Sequence, residues 1–179
     1  MVTPVVTGKN ADVAIESFVT NPENSTVDYR ILDGDTVVFE ASVDASSTKA
    51  VATIENAHLW NGRNDPFLYK LEANLIKDGE AIDTVSTTFG CRSFKIDANK
   101  GFILNGEEYP LRGVSRHQDY PLKGNALSYE DHKRDIDLIL EVGATTIRLA
   151  HYQHSQDFYN LCDEAGLIIW AEIPYISKH

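Results

Sequence analysis

The stretch SYEDHKRDIDLILEVGATTIRLAHYQHSQDFYNLCDEAGLIIWA, at residues 128–171, decides the fold of the second half of the chain. Apolar residues recur there at helical spacing in two segments, which begin at the N-cap candidates Ser128 and Ser155 and stop at Gly143 and Gly166. A short apolar run follows each segment. The stretch therefore predicts, in succession, helix 129–142, strand 145–149, helix 155–165 and strand 167–171.

A further strand precedes these elements. Asn105-Gly106 is a strong two-residue hairpin signal, and apolar residues on either side of it predict strands over 94–97, 102–104 and 109–115. From 109 onwards the order is strand, helix, strand, helix, strand. This alternation predicts a parallel sheet with right-handed crossovers.

The first half of the chain has a different period, because apolar and polar residues alternate over short runs there. Asp33-Gly34 and Asp78-Gly79 separate such runs as turn signals. About seven short strands are predicted, which fits an immunoglobulin-like β-sandwich with Trp60 and Tyr69 in its core. The predicted fold class is therefore multi-domain, with a β-sandwich at 1–90 and an α/β part at 91–179.

The composition is that of a globular protein, with 42% hydrophobic and 24% charged residues. A net charge of −11 argues against a nucleic-acid partner, because phosphate binding needs a basic face. No apolar run is long enough to cross a membrane and no signal peptide is visible, so a cytoplasmic location is expected. Cys91 and Cys162 are too far apart for a zinc motif and are predicted to be free thiols.

Polar and aromatic side chains follow each strand of the predicted parallel sheet. The first strand leads to Arg116, His117 and Asp119, the second to Arg148 and His151, and the third to Trp170 and Glu172. Ligands of parallel α/β folds bind at the carboxyl ends of the strands, so these residues are predicted to lie on one rim. Such a set suits a sugar, which offers a ring of hydroxyls and an apolar C–H face.

Five of these residues also have a purely structural interpretation. His117 and Asp119 can be surface groups of a loop. Arg148 can be a structural ion-pair partner of Glu172, because a buried charge needs a partner. Trp170 can be a core residue or the wall of a pocket.

Three motifs resemble a known family. They are GVSRHQD at 113–119, TIRLAHY at 146–152 and FYNLCDEAGLIIWAE at 158–172. Upstream, LW at 59–60, PFLY at 66–69 and GFILNG at 101–106 continue the likeness. Together these segments resemble glycoside hydrolase family 2, and most closely its β-galactosidases.

The resemblance implies an immunoglobulin-like sandwich followed by a catalytic TIM (β/α)₈ barrel. A complete barrel takes ~250 residues. Because only residues 91–179 follow the sandwich, the chain is expected to be a fragment with an incomplete barrel of three strands. An unclosed barrel leaves a sheet edge and an apolar interior unpaired, so self-association or contact with other domains of a parent chain is expected.

The resemblance also implies roles for the rim residues. The family cleaves by a retaining mechanism that needs two carboxyl groups ~5–5.5 Å apart. Its acid/base belongs to an Asn-Glu pair, which does not occur in 91–179, so no catalytic residue is predicted here and the chain alone is expected to be inactive. The expected partner is a β-galactoside. The implied substrate contacts are His117, His151 and Asp119, and the implied supporting residues are Arg116, Arg148, Trp170 and Glu172.

No metal or other cofactor is predicted in this chain. Members of the family often bind magnesium, but the corresponding ligands would fall near Ile176 and Lys178, whose side chains do not suit that ion. His151 and His154 are spaced as a metal pair could be, yet no third ligand with suitable spacing is evident.

A few positions bear on the subtype. Thr145 and Gln153 stand where Asn and Pro are common in the family, which indicates a subgroup. The Arg116-His117 pair favours a β-galactosidase over a β-glucuronidase, whose members usually carry Lys before the His. The alternatives are a β-glucuronidase-type member of the family, or a non-catalytic module that binds a glycan or a protein.

Overall fold

The computed structural model describes residues 1–175, which fall into two compact units. The first unit contains Met1–Trp60 and Phe67–Ser93. The second contains Asn61–Pro66 and the chain from Phe94 onwards. Each unit has its own hydrophobic core.

The first unit is a sandwich of two antiparallel sheets. Its strands are β1 (Val2–Thr7), β2 (Asn10–Glu16), β3 (Ser25–Asp33), β4 (Thr36–Asp44), β5 (Lys49–Ile54), β6 (Tyr69–Lys77) and β7 (Glu80–Phe89). One sheet has the order β1-β2-β5 and the other β4-β3-β6-β7. Every neighbouring pair is antiparallel, which confirms the predicted β-sandwich.

The core of the sandwich follows from the period-2 pattern. Alternate residues such as Val13 in β2 and Tyr29 in β3 are fully buried, while their neighbours face solvent. Trp60 and Tyr69 are each 1% exposed; Tyr69 belongs to the sandwich core as predicted, whereas Trp60 is buried outside this core cluster. The hydroxyl of Tyr69 accepts a hydrogen bond of 2.8 Å from the backbone N–H of His58, which satisfies its polar end.

Tight turns set the strand register. Asp78 and Gly79 both have positive φ, at 53° and 83°, as a type I′ hairpin turn requires. The turn between β3 and β4 lies one residue later than predicted, because Asp33 still pairs with Thr36 and Gly34 takes the positive φ of 56°.

The second unit combines a small antiparallel sheet with a parallel α/β layer. Its elements are β8 (Phe94–Asp97), β9 (Gly101–Leu104), β10 (Glu107–Glu108), β11 (Gly113–Arg116), α1 (Tyr129–Glu141), β12 (Thr146–Leu149), α2 (Gln156–Ala165) and β13 (Ile168–Ala171). The antiparallel sheet has the order β10-β9-β8, and Asn105-Gly106 forms the predicted turn with φ of 50° and 90°.

The parallel layer consists of three strands and two helices, as expected of the start of a TIM barrel. Strands β11, β12 and β13 pair in parallel, in that order. Both helices cover one face of this sheet, where Ile139 of α1, Phe158 of α2 and Leu149 of β12 share a core. No helix within residues 1–175 is long and apolar enough to cross a membrane.

The helix ends agree with the sequence prediction. Ser128 and Asp131 form a capping box at the start of α1, and Gly143 lies just past its end with φ of 75°. The Ser155 hydroxyl accepts a hydrogen bond from the N–H of Asp157. Gly166 ends α2 with φ of 74°, and a Cβ there would lie 2.2 Å from the carbonyl oxygen of Gly62. Backbone conformation and space both require glycine at this position.

The predicted strand over 109–115 is wrong in its bounds. Strand β11 begins only at Gly113. Pro110 has no N–H to donate to a sheet. The carbonyl of Pro110 instead accepts a 2.7 Å hydrogen bond from the hydroxyl of Thr145, which also accepts one of 2.9 Å from the N–H of Arg112. Thr145, one of the positions that departs from the family pattern, thus attaches the approach to β11 to the start of β12.

Candidate functional site

The carboxyl ends of the three parallel strands lie side by side, as predicted. Ser115 of β11, Arg148 of β12 and Trp170 of β13 are register partners. Their neighbours Ile147 and Leu149 point to the core beneath the helices. Since side chains alternate along a strand, Ser115, Arg148 and Trp170 point to the opposite face, which neither α1 nor α2 covers. We call this face, which carries Ser115, Arg148 and Trp170, the open face.

Three of the predicted residues form one hydrogen-bonded cluster at this edge. The Nε of Arg148 lies 2.5 Å from Oε1 of Glu172. The Nδ1 of His151 lies 2.9 Å from Oε2 of Glu172 and 3.1 Å from a terminal guanidinium nitrogen of Arg148. The structural ion pair between Arg148 and Glu172 is therefore formed, and His151 joins it.

The position of one proton decides how His151 takes part. A protonated Nδ1 donates to Glu172, whereas an unprotonated Nδ1 accepts from Arg148, because a guanidinium can only donate. Both arrangements use the same ring orientation. In both, Nε2 of His151 has no hydrogen-bond partner among residues 1–175.

Glu172 is held in its ionised form. The hydrogen bond from Arg148 is the largest cause that lowers the pKa of the Glu172 carboxyl below its ordinary value, and the contact with His151 adds to it. Partial burial acts in the opposite direction without cancelling it. At neutral pH this carboxylate accepts hydrogen bonds and has no proton to give.

His117 lies beside this cluster. Its ring meets that of His151 edge to face, with the centroids 5.2 Å apart, and the ring of Tyr152 is 6.5 Å away. The next residue, Gln118, connects the two loops: its N–H donates to the hydroxyl of Tyr152 at 3.2 Å, and its Oε1 accepts from the N–H of Ser155 at 2.6 Å. Two hydrogen bonds of Gln118 therefore join the loop after β11 to the loop after β12.

Arg116 lies elsewhere. It was predicted to support the rim, but its side chain is buried on the helix-covered side of the sheet. Its Nε donates to Oδ2 of Asp135 at 2.7 Å, and its guanidinium stacks 3.8 Å from the centre of the Phe158 ring. Arg116 therefore does not reach the open face, and any support that it gives the rim is indirect.

The surroundings of Arg116 include residues that the sequence analysis did not assign to the site. The two terminal nitrogens of Arg116 lie 3.0 Å from Nδ1 of His132 and 3.1 Å from Nδ1 of His154. Asp135 also accepts a 2.5 Å hydrogen bond from the Tyr120 hydroxyl. One signal was available: His132 lies four residues before Ile136, so the helical pattern places it on the apolar side of α1.

The two remaining predicted residues are exposed. The side chain of Asp119 makes no hydrogen bond or ion pair with any residue in the described range 1–175, as expected either of a surface group or of a group that meets a ligand. Trp170 is 66% exposed, which excludes the core interpretation within this unit. Its indole stands on the open face beside Arg148.

The structure does not bring together the suggested metal pair. His151 joins Glu172, whereas His154 is buried against Arg116 and places Nε2 3.2 Å from the carbonyl of Ala150. Over residues 1–175, no group of three or more His, Cys, Asp or Glu side chains is arranged to bind a metal ion. Ile176 and Lys178, where the magnesium ligands of the family would fall, lie outside the described residues.

Two family models match the chain and together cover almost all of it. The model described as glycosyl hydrolases family 2 matches residues 1–92. The model described as glycosyl hydrolases family 2, TIM barrel domain, matches residues 94–179.

Individual relatives agree with these matches. The chain is 38% identical to a β-glucuronidase of Bacteroides fragilis over 99% of its own length and 27% of that protein. It is 33% identical to a β-galactosidase of Thermoanaerobacter pseudethanolicus over 68% of its own length and 16% of that protein. The crystal structure of an FMN-binding β-glucuronidase from Facaelibacterium prausnitzii L2-6 superposes with a TM-score of 0.93 at 48% identity, covering 97% of this chain and 27% of that one.

Proposed function

The chain belongs to glycosyl hydrolase family 2, and from this premise we propose that its second unit supplies one wall of the sugar site of a retaining β-glycosidase of the β-glucuronidase type. The chain spans 27% and 22% of two curated β-glucuronidase relatives. The activity of the whole protein is accordingly part of the proposal.

One observation carries the assignment of the site: the cluster of Arg148, His151 and Glu172 at the carboxyl edge of the parallel sheet. TIM-barrel enzymes place their active sites at this edge. Nε2 of His151 is left for a ligand, and the ring of His117 stands 5.2 Å away from that of His151. An imidazole nitrogen can donate to or accept from a sugar hydroxyl, according to its tautomer.

We assign the roles accordingly. His117 and His151 contact sugar hydroxyls, and Asp119 is a third candidate contact on the loop after β11. Arg148 and Glu172 orient His151 through the contacts described above. Trp170 offers an aromatic surface on the open face, where the C–H face of a sugar can lie.

We assign the cleavage step to carboxyl groups outside this chain. A retaining glycosidase needs a general acid with a raised pKa and a nucleophilic carboxylate. The pKa of Glu172 is lowered, chiefly by the hydrogen bond from Arg148, so Glu172 is unsuited to give a proton at neutral pH. We therefore assign binding and positioning to this chain, and expect the isolated chain to cleave no glycoside.

The choice of sugar favours a glucuronide over the galactoside expected at first. The β-glucuronidase of Bacteroides fragilis matches more of the chain, at higher identity, than the β-galactosidase of Thermoanaerobacter pseudethanolicus. The Arg116-His117 pair had favoured a galactosidase by resemblance alone, and the Arg116 side chain makes no contact on the open face. A β-galactosidase remains the second candidate on the strength of its 33% identity.

The test is to express the complete gene product and to measure kcat/KM with p-nitrophenyl β-D-glucuronide and p-nitrophenyl β-D-galactoside. We expect the glucuronide to be the better substrate. His151→Ala should lower kcat/KM by at least about tenfold, the equivalent of one lost hydrogen bond to a charged or reacting group. Asp137→Asn, on the exposed side of α1, is the matched control and should leave the value unchanged.

Each other outcome has a definite meaning. Preference for the galactoside would replace the first candidate by the second. Hydrolysis of both substrates that is insensitive to His151→Ala would refute the assigned site. Saturable sugar binding by a complete gene product that cleaves neither substrate would favour a non-catalytic binding module.

A further inference from the structure

Arg116 connects β11 to three other parts of the second unit, which are α1, the loop before α2 and the end of β12. Its nitrogens contact Asp135 and His132 of α1 and His154 in the loop that precedes α2. Its backbone carbonyl accepts a 3.0 Å hydrogen bond from the N–H of Ala150 at the end of β12. Side chain and backbone thus attach the end of β11 to the segment 150–154.

The residues that flank these contacts are those assigned to the sugar site. His117 follows Arg116 directly, and His151 follows Ala150. We propose that Arg116 is a positioning residue for the proposed glycosidase site, because its buried contacts set the separation and orientation of His117 and His151. This inference rests on the proposed function and adds to it residues that do not touch the sugar.

The hydrogen-bond donors of Arg116 determine which ring nitrogen of His132 and of His154 carries the proton. Arginine has N–H donors and no acceptor. The Nδ1 atoms of His132 and His154 must therefore both be unprotonated acceptors, and each ring carries its proton on Nε2. For His154 this agrees with a second contact, since Nε2–H then donates to the carbonyl of Ala150 at 3.2 Å.

The charges around this point favour the same state. Burial lowers the pKa of both His132 and His154, and the Arg116 cation lowers them further. The carboxylate of Asp135 balances the charge of Arg116 and is itself held by the Tyr120 hydroxyl. A proton added to Nδ1 of either ring would set two cations side by side and break its contact with Arg116.

The hydrogen bonds of His154 explain how the contacts of Arg116 affect the loop that carries His151. Both ring nitrogens of His154 form hydrogen bonds: Nδ1 accepts from the guanidinium of Arg116, and Nε2 donates to the carbonyl of Ala150. The loop from 150 to 154 is therefore closed on itself around Arg116, with His151 and Tyr152 projecting from it. A change at Arg116 or His132 is transmitted to the His117–His151 pair although neither residue reaches the open face.

A pair of variants at His132 separates positioning from simple packing. Asn places its side-chain oxygen near the location of Nδ1, so His132→Asn keeps an acceptor for Arg116. Gln extends toward the location of Nε2, so His132→Gln removes that acceptor. Gln is the better helix former of the two. A role in helix stability alone therefore predicts that His132→Gln is the milder change, and the positioning role predicts the opposite.

The experiment is NMR on the 179-residue chain with ¹⁵N-labelled histidine. Long-range ring correlations should show His132 and His154 as neutral rings protonated at Nε2 from about pH 8 down to below the ordinary His pKa of about 6.5. Ring-to-ring cross-relaxation between His117 and His151 should persist in His132→Asn and be lost in His132→Gln. Dispersed amide spectra of both variants verify that each is folded.

Two results would overturn the proposal. One is a proton on Nδ1 of His132 or His154 at neutral pH. The other is an unchanged His117–His151 contact in a folded His132→Gln variant. If His132→Gln does not fold, Arg116→Lys, which keeps the charge but loses the forked donors, takes its place with the same expected loss. Absence of sugar cleavage by the complete gene product would refute the proposed function and leave these ring states untouched, so the two failures are distinguishable.

Discussion

The Nε of Arg148 lies 2.5 Å from Oε1 of Glu172, across the carboxyl ends of β12 and β13. The positive charge of Arg148 and the negative charge of Glu172 are thus paired with each other. His151 completes it through Nδ1 at 2.9 Å from the same carboxylate. In the proposed sugar site, Arg148 and Glu172 thus orient the imidazole of His151 through their hydrogen bonds.

The first prediction concerns the titration of that carboxylate. Because the Arg148 hydrogen bond is the main cause of its lowered pKa, Arg148→Met should move the Glu172 pKa up toward the ordinary value of about 4.3. The folded pKa lies below the unfolded one, so the pair stabilises the protein above about pH 4.3 and this contribution is lost as pH falls through the folded pKa. Carboxyl ¹³C shifts of Glu172 measure the effect, and an unchanged titration would contradict it.

A second prediction concerns the buried pair of Arg116 and Asp135, whose side chains are 6% and 17% exposed. Asp135→Asn leaves the Arg116 cation buried without a counter-charge and should lower the free energy of unfolding by about 3–5 kcal/mol. Lys133→Gln breaks the exposed pair with Asp137 on the same helix and should cost about 0.5 kcal/mol or less. Urea denaturation compares the two, and equal losses would show that burial of the pair is immaterial.

Acid should weaken the second unit through His132 and His154. Burial lowers the pKa of both in the folded state, so the unfolded chain takes up protons first as pH falls. Stability should be complete above about pH 6.5 and decline below it. Denaturation midpoints at several pH values test this: His132→Asn should flatten the decline, whereas His58→Asn, in the first unit, should leave that of the second unit unchanged.

Gly113 is a steric requirement of the parallel sheet. A Cβ at this position would lie 2.1 Å from the carbonyl oxygen of Thr146 on the adjacent strand, so β11 would have to move away from β12. Gly113→Ala should destabilise the second unit by about 1–3 kcal/mol. Ser115→Ala, on the same strand, should stay within about 0.5 kcal/mol of the parent, and a similar value for Gly113→Ala would refute the close approach.

The two cysteines should report on the two units separately. Burial raises the pKa of Cys91 to about 11 and that of Cys162 to about 12. Since the thiolate is the reactive form, neither should react with iodoacetamide at neutral pH until its unit opens. Peptide mapping after labelling in increasing urea gives one midpoint for the first unit from Cys91 and one for the second from Cys162. Rapid labelling of the native chain would show that the thiols are accessible.

The helices and turns were predictable because their signals are local. Ser128, Ser155 and Gly166 act within a single turn of chain, and the Asn105-Gly106 turn needs no distant partner. The start of β11 was predicted wrongly because the local pattern does not contain the contact that decides it. The residues after the hairpin have a strand-like pattern, but Pro110 and the distant hydroxyl of Thr145 divert them.

The site was predictable only as a location. The rule for parallel sheets brings His117, His151 and Glu172 to one edge, whichever way each side chain turns. It does not say that Arg116 turns inward, because one residue of register decides which face a strand side chain takes. Nor does it select His132, which the sequence shows only as a polar residue on an apolar helix face.

The sequence by itself determined the family, the succession of elements and the edge of the sheet where the polar residues gather, since each depends on spacing along the chain. Only the tertiary structure decided which side chains form hydrogen bonds with each other. Arg148 meets Glu172 across 24 residues, and Arg116 meets His154 across 38. Hydrogen bonds and charges act through space, so packing, and not order in the chain, decides which arginine lies on the open face and which lies against the helices.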